Sequence, residues 1–180
     1  IIGTIGNSIG ANTRSNLTTP DPISLAKILN QMTSKKMKYV VMEASSHGLE
    51  QKRLLGINFD LGIMTNISHD HLDFHKNFSN YLNSKMLLFK NHLKTNGLGI
   101  INENTDEIEK IKKILKRKKN INYFPSNKKY FSILSIERIK KTHIKVTIRH
   151  QNKDYEFLFK NLPLFQIENL LLAYYSLVKY

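Results

Sequence analysis

The stretch TNISHDHLDFH, residues 65–75, sets three histidines and two aspartates in eleven positions: His69, Asp70, His71, Asp73 and His75. Imidazoles and carboxylates at this density can hold a cation or move protons. His71 and His75 are four apart, a spacing that suits two ligands on one helical face. No H-E-x-x-H arrangement accompanies them, so a zinc-protease site is excluded. The aspartates are oxygen ligands, which favour a hard ion such as Mg2+ over zinc. From these residues alone a Mg2+ site and a metal-free polar loop both stay open.

Three other groups can do chemistry. In MEASSHGLEQKR, residues 42–53, Glu43 ends an apolar run and Ser45-Ser46-His47-Gly48 reads as a turn. Serine beside histidine does not make a hydrolase here, because sequence neighbours seldom align for proton transfer and the G-x-S-x-G elbow is missing. Hydroxyls, a glycine turn and Arg53 suit the holding of a carboxylate or phosphate. Lys85 falls on the apolar stripe formed by Phe78, Tyr81, Leu82, Leu88 and Phe89. Its stem can snorkel along the edge of a core. Alternatively its amine is desolvated, with a depressed pKa. A neutral amine can take up CO2 as a carbamate, which turns a cation into an anionic oxygen ligand. Finally, NLTTPDP, residues 16–22, puts hydroxyls and an amide before a helix start, where free N–H groups and the dipole draw anions. Ordinary capping and turn chemistry accounts for it equally well.

The elements that must position these groups follow from periodicity. YVVMEA (39–44), LGIMTN (61–66) and LGIIN (98–102) read as buried strands, with Glu43 and Asn66 at their carboxyl ends. Residues 21–32 read as a helix capped by Asp21 with Pro22 at its first position; 77–90 and 105–118 are further helices. Strand–helix alternation implies an α/β fold, a mostly parallel sheet flanked by helices, with active groups at the carboxyl ends of its strands. From about residue 130, YFSILSIER, HIKVTIRH and DYEFLFK alternate with period two and predict a small antiparallel β annex, followed by a terminal helix. The division expected is 1–125 for the parallel part, 126–162 for the annex and 163–180 for the helix. No phosphate-binding glycine loop is present.

Composition narrows the classes. Hydrophobic residues make up 41%, enough for a globular core, and no apolar run approaches the roughly 20 residues that span a bilayer. The chain has no cysteine, which excludes disulfides and thiolate metal sites and fits a cytoplasmic protein. The net charge of +14 rests on 23 Lys against 5 Arg. A phosphate-reading surface would be richer in arginine, so nucleic acid is not the expected partner. The basic run 110–119 carries Ile108, Ile111, Ile114 and Leu115 at helical spacing beside it, and reads as the wet face of an amphipathic helix. A basic surface still favours an anionic substrate.

Together the blocks N-x-T-T-P-D, M-E-A-S-S-H-G-L-x-Q-x-R, T-N-I-S-x-D-H-L-D-F-H, Y-x-x-x-K-x-x-L-F and F-Q-I-E-N-L-L-L-A resemble, in order and spacing, the central ATP-binding domain of the Mur ligases. The likeness covers nearly all 180 residues and is strongest to the tripeptide-forming members, which add the third amino acid of the peptidoglycan stem. It implies a P-loop NTPase-like fold and ATP-dependent amide formation on UDP-MurNAc-L-Ala-D-Glu. The substrate carboxylate is phosphorylated to an acyl phosphate, which the amine of meso-diaminopimelate or L-lysine displaces. ATP and Mg2+ are the implied cofactors and a monomer is expected. By motif, Lys85 matches the family's carbamylated lysine and Glu43 and His71 its metal-site residues. Asn16, Thr18, Thr19, Ser45, Gln51 and Arg53 match the positions that hold the nucleotide-dipeptide, and Asn169 the asparagine that reaches adenine. His69 stands where the family usually has arginine, and Gln166 where it has asparagine. The G-T-x-G-K-T phosphate loop is expected to precede Ile1, and the uridine-binding and amino-acid-binding domains to lie outside the chain. The chain alone is therefore expected to lack ligase activity. The alternatives are another Mur or folylpolyglutamate-type ligase, or a non-catalytic remnant of a decayed gene.

Overall fold

The computed structural model describes every residue except 5, 9–11, 14–16, 69 and 126–130. Asn16 and His69 therefore lie outside the described residues. The chain divides into two compact units, one of residues 1–59 and 69–92, the other of 60–68 and 93–180.

The first unit opens with a short antiparallel ribbon in the order β1 (Ile2–Gly3), β2 (Gly6–Ser8), β3 (Asn12–Thr13). Helix α1 (Pro22–Ser34) begins as its sequence predicts. The Asp21 carboxylate accepts from the Ile23 and Ser24 N–H groups, both at 3.0 Å, and Pro22 fills the first helical position. Leu25 and Met32, seven apart on one face, bury into a core with Ile2, Leu49 and Leu54. Helices α2 (Ser46–Glu50), α3 (Leu72–His75) and α4 (Phe78–Asn91) complete the unit.

Two local expectations are corrected here. Residues 39–44 do not form a buried strand: Met42 makes a single parallel bridge to Ile2, while Tyr39 and Val41 are 82% and 66% exposed. The described backbone pairs this segment with β1, through Ile2 N–H to Val41 O and Glu43 N–H to Ile2 O, both 2.9 Å. A one-sided contact of this length does not build a ladder. Residues 45–48 are not an open turn. The Ser45 hydroxyl accepts from Gly48 N–H at 3.1 Å and so caps α2, whose Leu49 is buried.

In the second unit β4 (Phe59–Met64), β5 (Leu93–Asn102) and β6 (Ile121–Phe124) form a three-stranded sheet in that order, with α5 (Ile108–Leu115) in the β5–β6 crossover. β5 and β6 are parallel, Gly99 opposite Ile121 and Asn102 opposite Phe124. β7 (Phe131–Lys140), β8 (His143–His150) and β9 (Lys153–Lys160) make the predicted antiparallel meander. Period two explains its sidedness: Ile144, Val146 and Ile148 point inward, against Ile167, Leu171, Leu172 and Tyr175 of α6 (Leu164–Lys179). Ion pairs Lys145–Glu156 and Arg149–Asp154 lie across β8 and β9 on the wet face. Among the described residues no helix is long and apolar enough to cross a membrane.

Candidate active site

Of the residues singled out from the sequence, Glu43, Ser45 and Arg53 gather in the first unit around Thr19. Its side chain is fully buried, donating from Oγ1 to the Glu43 carbonyl at 2.8 Å and accepting from Ser45 N–H at 2.9 Å. One hydroxyl thus fixes the backbone on both sides of Ala44. The Thr19 carbonyl in turn accepts from Arg53 Nη1 at 2.8 Å. Arg53 also gives Nε (2.9 Å) and Nη2 hydrogen bonds to Gln51 Oε1. A guanidinium has five N–H donors, and among the described residues these bonds leave two of them for an anion. Gly48 is required by close approach, since a Cβ there would fall 2.8 Å from the Thr19 Cβ and Cγ2.

The Glu43 carboxylate is exposed and has a built seat. Its Oε2 accepts from the Thr4 hydroxyl at 2.6 Å, and Thr4 Oγ1 lies 3.1 Å from Thr18 Oγ1. A Cβ on Gly3 would meet Glu43 Oε1 at 2.6 Å, so the carboxylate lies flat on glycine backbone.

The histidine stretch forms an aromatic wall. His71 caps α3 in the left-handed region, φ 53°, a conformation its own Asp70 supports by accepting from His71 N–H at 2.8 Å. His71 Nε2 lies 3.5 Å from Asp70 Oδ2. The His47 ring of α2 meets His71 edge-on at 4.9 Å, His75 at 5.4 Å and Phe74 at 4.1 Å between centroids. Tyr81 joins from α4, 6.0 Å from His71 and 5.4 Å from His75. Burial, then the neighbouring His71, holds His47 below its ordinary pKa. Burial, then His47, does the same to His75, with Glu50 opposing.

Lys85 is half-buried on α4, its ammonium 5.2 Å from the Tyr81 ring centroid. Burial lowers its pKa and Asp70 opposes the shift. Among the described residues no carboxylate stands within ion-pair distance of it. The free-amine form is therefore more accessible than for a solvated lysine.

Chemistry decides whether these residues fit a divalent cation. Glu43 offers a seated carboxylate and His71 an imidazole, but no three His, Asp or Glu side chains among the described residues form a ready metal cluster. The set fits Mg2+ only when a third ligand, an anionic oxygen, is supplied, and a carbamate on Lys85 is one source. Asn169 is half-buried on α6 and belongs to the second unit, as does Asn66, which lies 3.4 Å from Thr105 Oγ1. Sequence reasoning passed over Thr4, Tyr81 as a site wall, Glu50 and Ser84. Ser84 had a signal: it stands three after Tyr81 and four before Leu88, on the buried stripe.

Comparison with known proteins bears on the family of the chain. A family model described as the Mur ligase middle domain matches residues 1–177. A UDP-N-acetylmuramoyl-L-alanyl-D-glutamate–2,6-diaminopimelate ligase of Rickettsia montanensis is 40% identical over 98% of the chain, which spans 38% of that protein's length. A like-named ligase of Clostridium acetobutylicum is 51% identical over 51% of the chain and 19% of its own length. Among solved structures, MurF from Acinetobacter baumannii superposes with a TM-score of 0.53 at 14% identity, over 66% of this chain and 26% of that one. That likeness concerns the fold alone. With the family model spanning both units, the chain belongs to the Mur ligases, as their middle domain.

Proposed function

We propose that this chain is the working middle of an ATP-dependent ligase that joins 2,6-diaminopimelate to UDP-N-acetylmuramoyl-L-alanyl-D-glutamate. The observation that carries the reading is Lys85, a half-buried amine with a depressed pKa and no described carboxylate partner, in the same unit as the seated Glu43 and His71. The names of the relatives supply the substrate pair and favour diaminopimelate over lysine as the added residue.

In this reading Thr18, Thr19, Ser45, Gln51 and Arg53 hold the nucleotide-dipeptide, the two spare N–H groups of Arg53 facing an anionic group of it. Asn16 and Asn169 are assigned by motif, to the dipeptide and to adenine. The Lys85 ammonium gives one proton to water to become a neutral amine, which forms an N–C bond to CO2 and releases a second proton, leaving a carbamate anion. That anion, Glu43 and His71 would hold Mg2+. Bound with ATP, Mg2+ supplies charge neutralisation for transfer of the γ-phosphoryl group to the substrate carboxylate. The residues of this chain contribute placement: the acceptor carboxylate must sit in line with that group, and a loss of about 1 Å in alignment costs about 100-fold.

The test uses the whole gene product that carries this chain. ADP release should require UDP-MurNAc-L-Ala-D-Glu, Mg2+ and diaminopimelate together, and Lys85→Ala should abolish it, with partial return in a short-chain carboxylate buffer. ADP release that ignores the dipeptide, or full activity of Lys85→Ala, refutes the reading.

A further inference from the structure

Thr4 has no part in the reaction as proposed. It stands exposed between β1 and β2, with its hydroxyl at the Glu43 carboxylate. A hydroxyl owns one proton and an ionised carboxylate only accepts, so the 2.6 Å contact commits that proton to Glu43 Oε2. The other contact of Thr4 Oγ1, 3.1 Å from Thr18 Oγ1, then runs one way. Thr18 is its donor, since two hydroxyl oxygens with no proton between them would repel. Thr18 has thereby spent its only proton, and what it presents to a bound molecule is a lone pair. The next residue turns to the same place: Thr19 Oγ1 donates to the Glu43 carbonyl at 2.8 Å. Adjacent hydroxyls thus hold residue 43 at both ends, Thr19 directly at the backbone and Thr18 through Thr4 at the carboxylate.

We propose that Thr4 is a positioning residue for both halves of the site, through a one-way chain of hydrogen bonds from Thr18 to Thr4 to Glu43. At the Glu43 end it holds Oε2 by a charge-assisted hydrogen bond, while Gly3 leaves room for Oε1. The carboxylate is oriented before a cation arrives. At the other end Thr4 fixes the polarity of Thr18. That hydroxyl accepts from an amide N–H or a hydroxyl of the nucleotide-dipeptide, and the anionic groups of the same molecule are left to Arg53. A threonine without such a partner could turn its proton either way and would not discriminate between donor and acceptor groups. The inference deepens the ligase reading and rests on it for what Thr18 and Glu43 hold.

Two measurements on the whole gene product test this, and neither needs turnover. In a neutron diffraction map of the deuterated protein, the Thr4 deuteron should point at Glu43 Oε2 and the Thr18 deuteron at Thr4 Oγ1. A Thr4 deuteron aimed at Thr18 overturns the proposal. The second measurement is binding: Mn2+ by electron paramagnetic resonance with a non-hydrolysable ATP analogue present, and UDP-MurNAc-L-Ala-D-Glu by calorimetry. Thr4→Val should weaken Mn2+ about tenfold or more and the nucleotide-dipeptide about fivefold. Thr4→Ser keeps the hydroxyl and should hold both affinities within about twofold of wild type. Thr18→Val should weaken the nucleotide-dipeptide alone. Adding Thr4→Val to it should then lower Mn2+ affinity with no further loss for the nucleotide-dipeptide. A Thr4 that merely supports the turn would lower Tm and weaken both ligands equally, in the Thr18→Val background as well. That result, or an unchanged Mn2+ affinity in Thr4→Val, overturns the proposal. If the wild-type protein binds no UDP-MurNAc-L-Ala-D-Glu, the ligase reading fails, and the deuteron positions with the Mn2+ affinities decide the role of Thr4.

Discussion

Replacement of Thr19 by valine isolates the hydroxyl at the centre of the site. Valine keeps the shape, including the methyl that Gly48 packs against, and removes one oxygen. That oxygen serves two backbone groups, the Glu43 carbonyl at 2.8 Å and the Ser45 N–H at 2.9 Å, from a side chain with no exposed surface. Each group left without a partner costs about 1–3 kcal/mol. Both lie partly buried, so the lower half of that range applies and the sum is about 2–4 kcal/mol. Thr19→Ser makes the opposite cut, keeping both hydrogen bonds and deleting a methyl, for about 1 kcal/mol. For a protein of this size 1 kcal/mol moves Tm by about 2–4 °C. Thermal melts followed by circular dichroism should therefore place Thr19→Val about 2 °C or more below Thr19→Ser. A valine variant as stable as the serine variant refutes the claim that the hydroxyl, and not the packing of residue 19, organises the segment 43–45.

Three further outcomes follow from the same geometry. Gly3→Ala puts a Cβ 2.6 Å from Glu43 Oε1; the carboxylate must leave its seat, so the Mg2+ concentration for half-maximal activity should rise about tenfold or more while Tm barely changes. An unchanged Mg2+ requirement would show that Glu43 holds no metal. Ser45→Ala removes the cap of α2 and should cost about 1 kcal/mol, read by urea unfolding; no loss would mean that burial of Leu49 alone holds the helix. Burial depresses the Lys85 pKa, so at a given pH below 10 a larger fraction is neutral than for the solvated lysines. Limited cyanate labelling with peptide mass spectrometry should find Lys85 modified ahead of exposed lysines such as Lys35 and Lys116, with the lead shrinking as pH rises. A slower Lys85 at every pH would show that access, not basicity, governs it.

Much of the scaffold was legible because its signals are local. The cap of α1 is written in Asp21-Pro22 and realised in the structure by two hydrogen bonds. The meander is written in the alternation of Ile144, Val146 and Ile148, each at most 6% exposed. The segment 39–44 misled because an apolar run states what should be buried, not how many neighbours will bury it; among the described residues β1 alone pairs with it, and Tyr39 and Val41 stay exposed. α2 was hidden by composition, since Ser, His and Gly are weak helix formers. Its five residues hold through the Ser45 cap and through the fit of Gly48 on Thr19, a contact 29 residues away in sequence.

The site divides along the same line. Lys85 announced itself by interrupting an apolar stripe, because a charge at a buried position has a cost that selection must have a reason to bear. Ser84 occupies the same stripe and is deeper, yet a buried serine at helical spacing is ordinary, and the hydroxyl becomes informative only when Glu50, 34 residues away, is seen to meet it. The general point is one of direction. Periodicity tells which face of an element is buried, whereas a polar network depends on which atoms of separate elements face one another once they pack. In this unit the groups visible in sequence, Glu43, Arg53, His71 and Lys85, would touch substrate or cation. Those not singled out, Glu50 and Ser84, meet each other across 34 residues. That division is why the chemistry could be guessed before the structure and the contacts behind it could not.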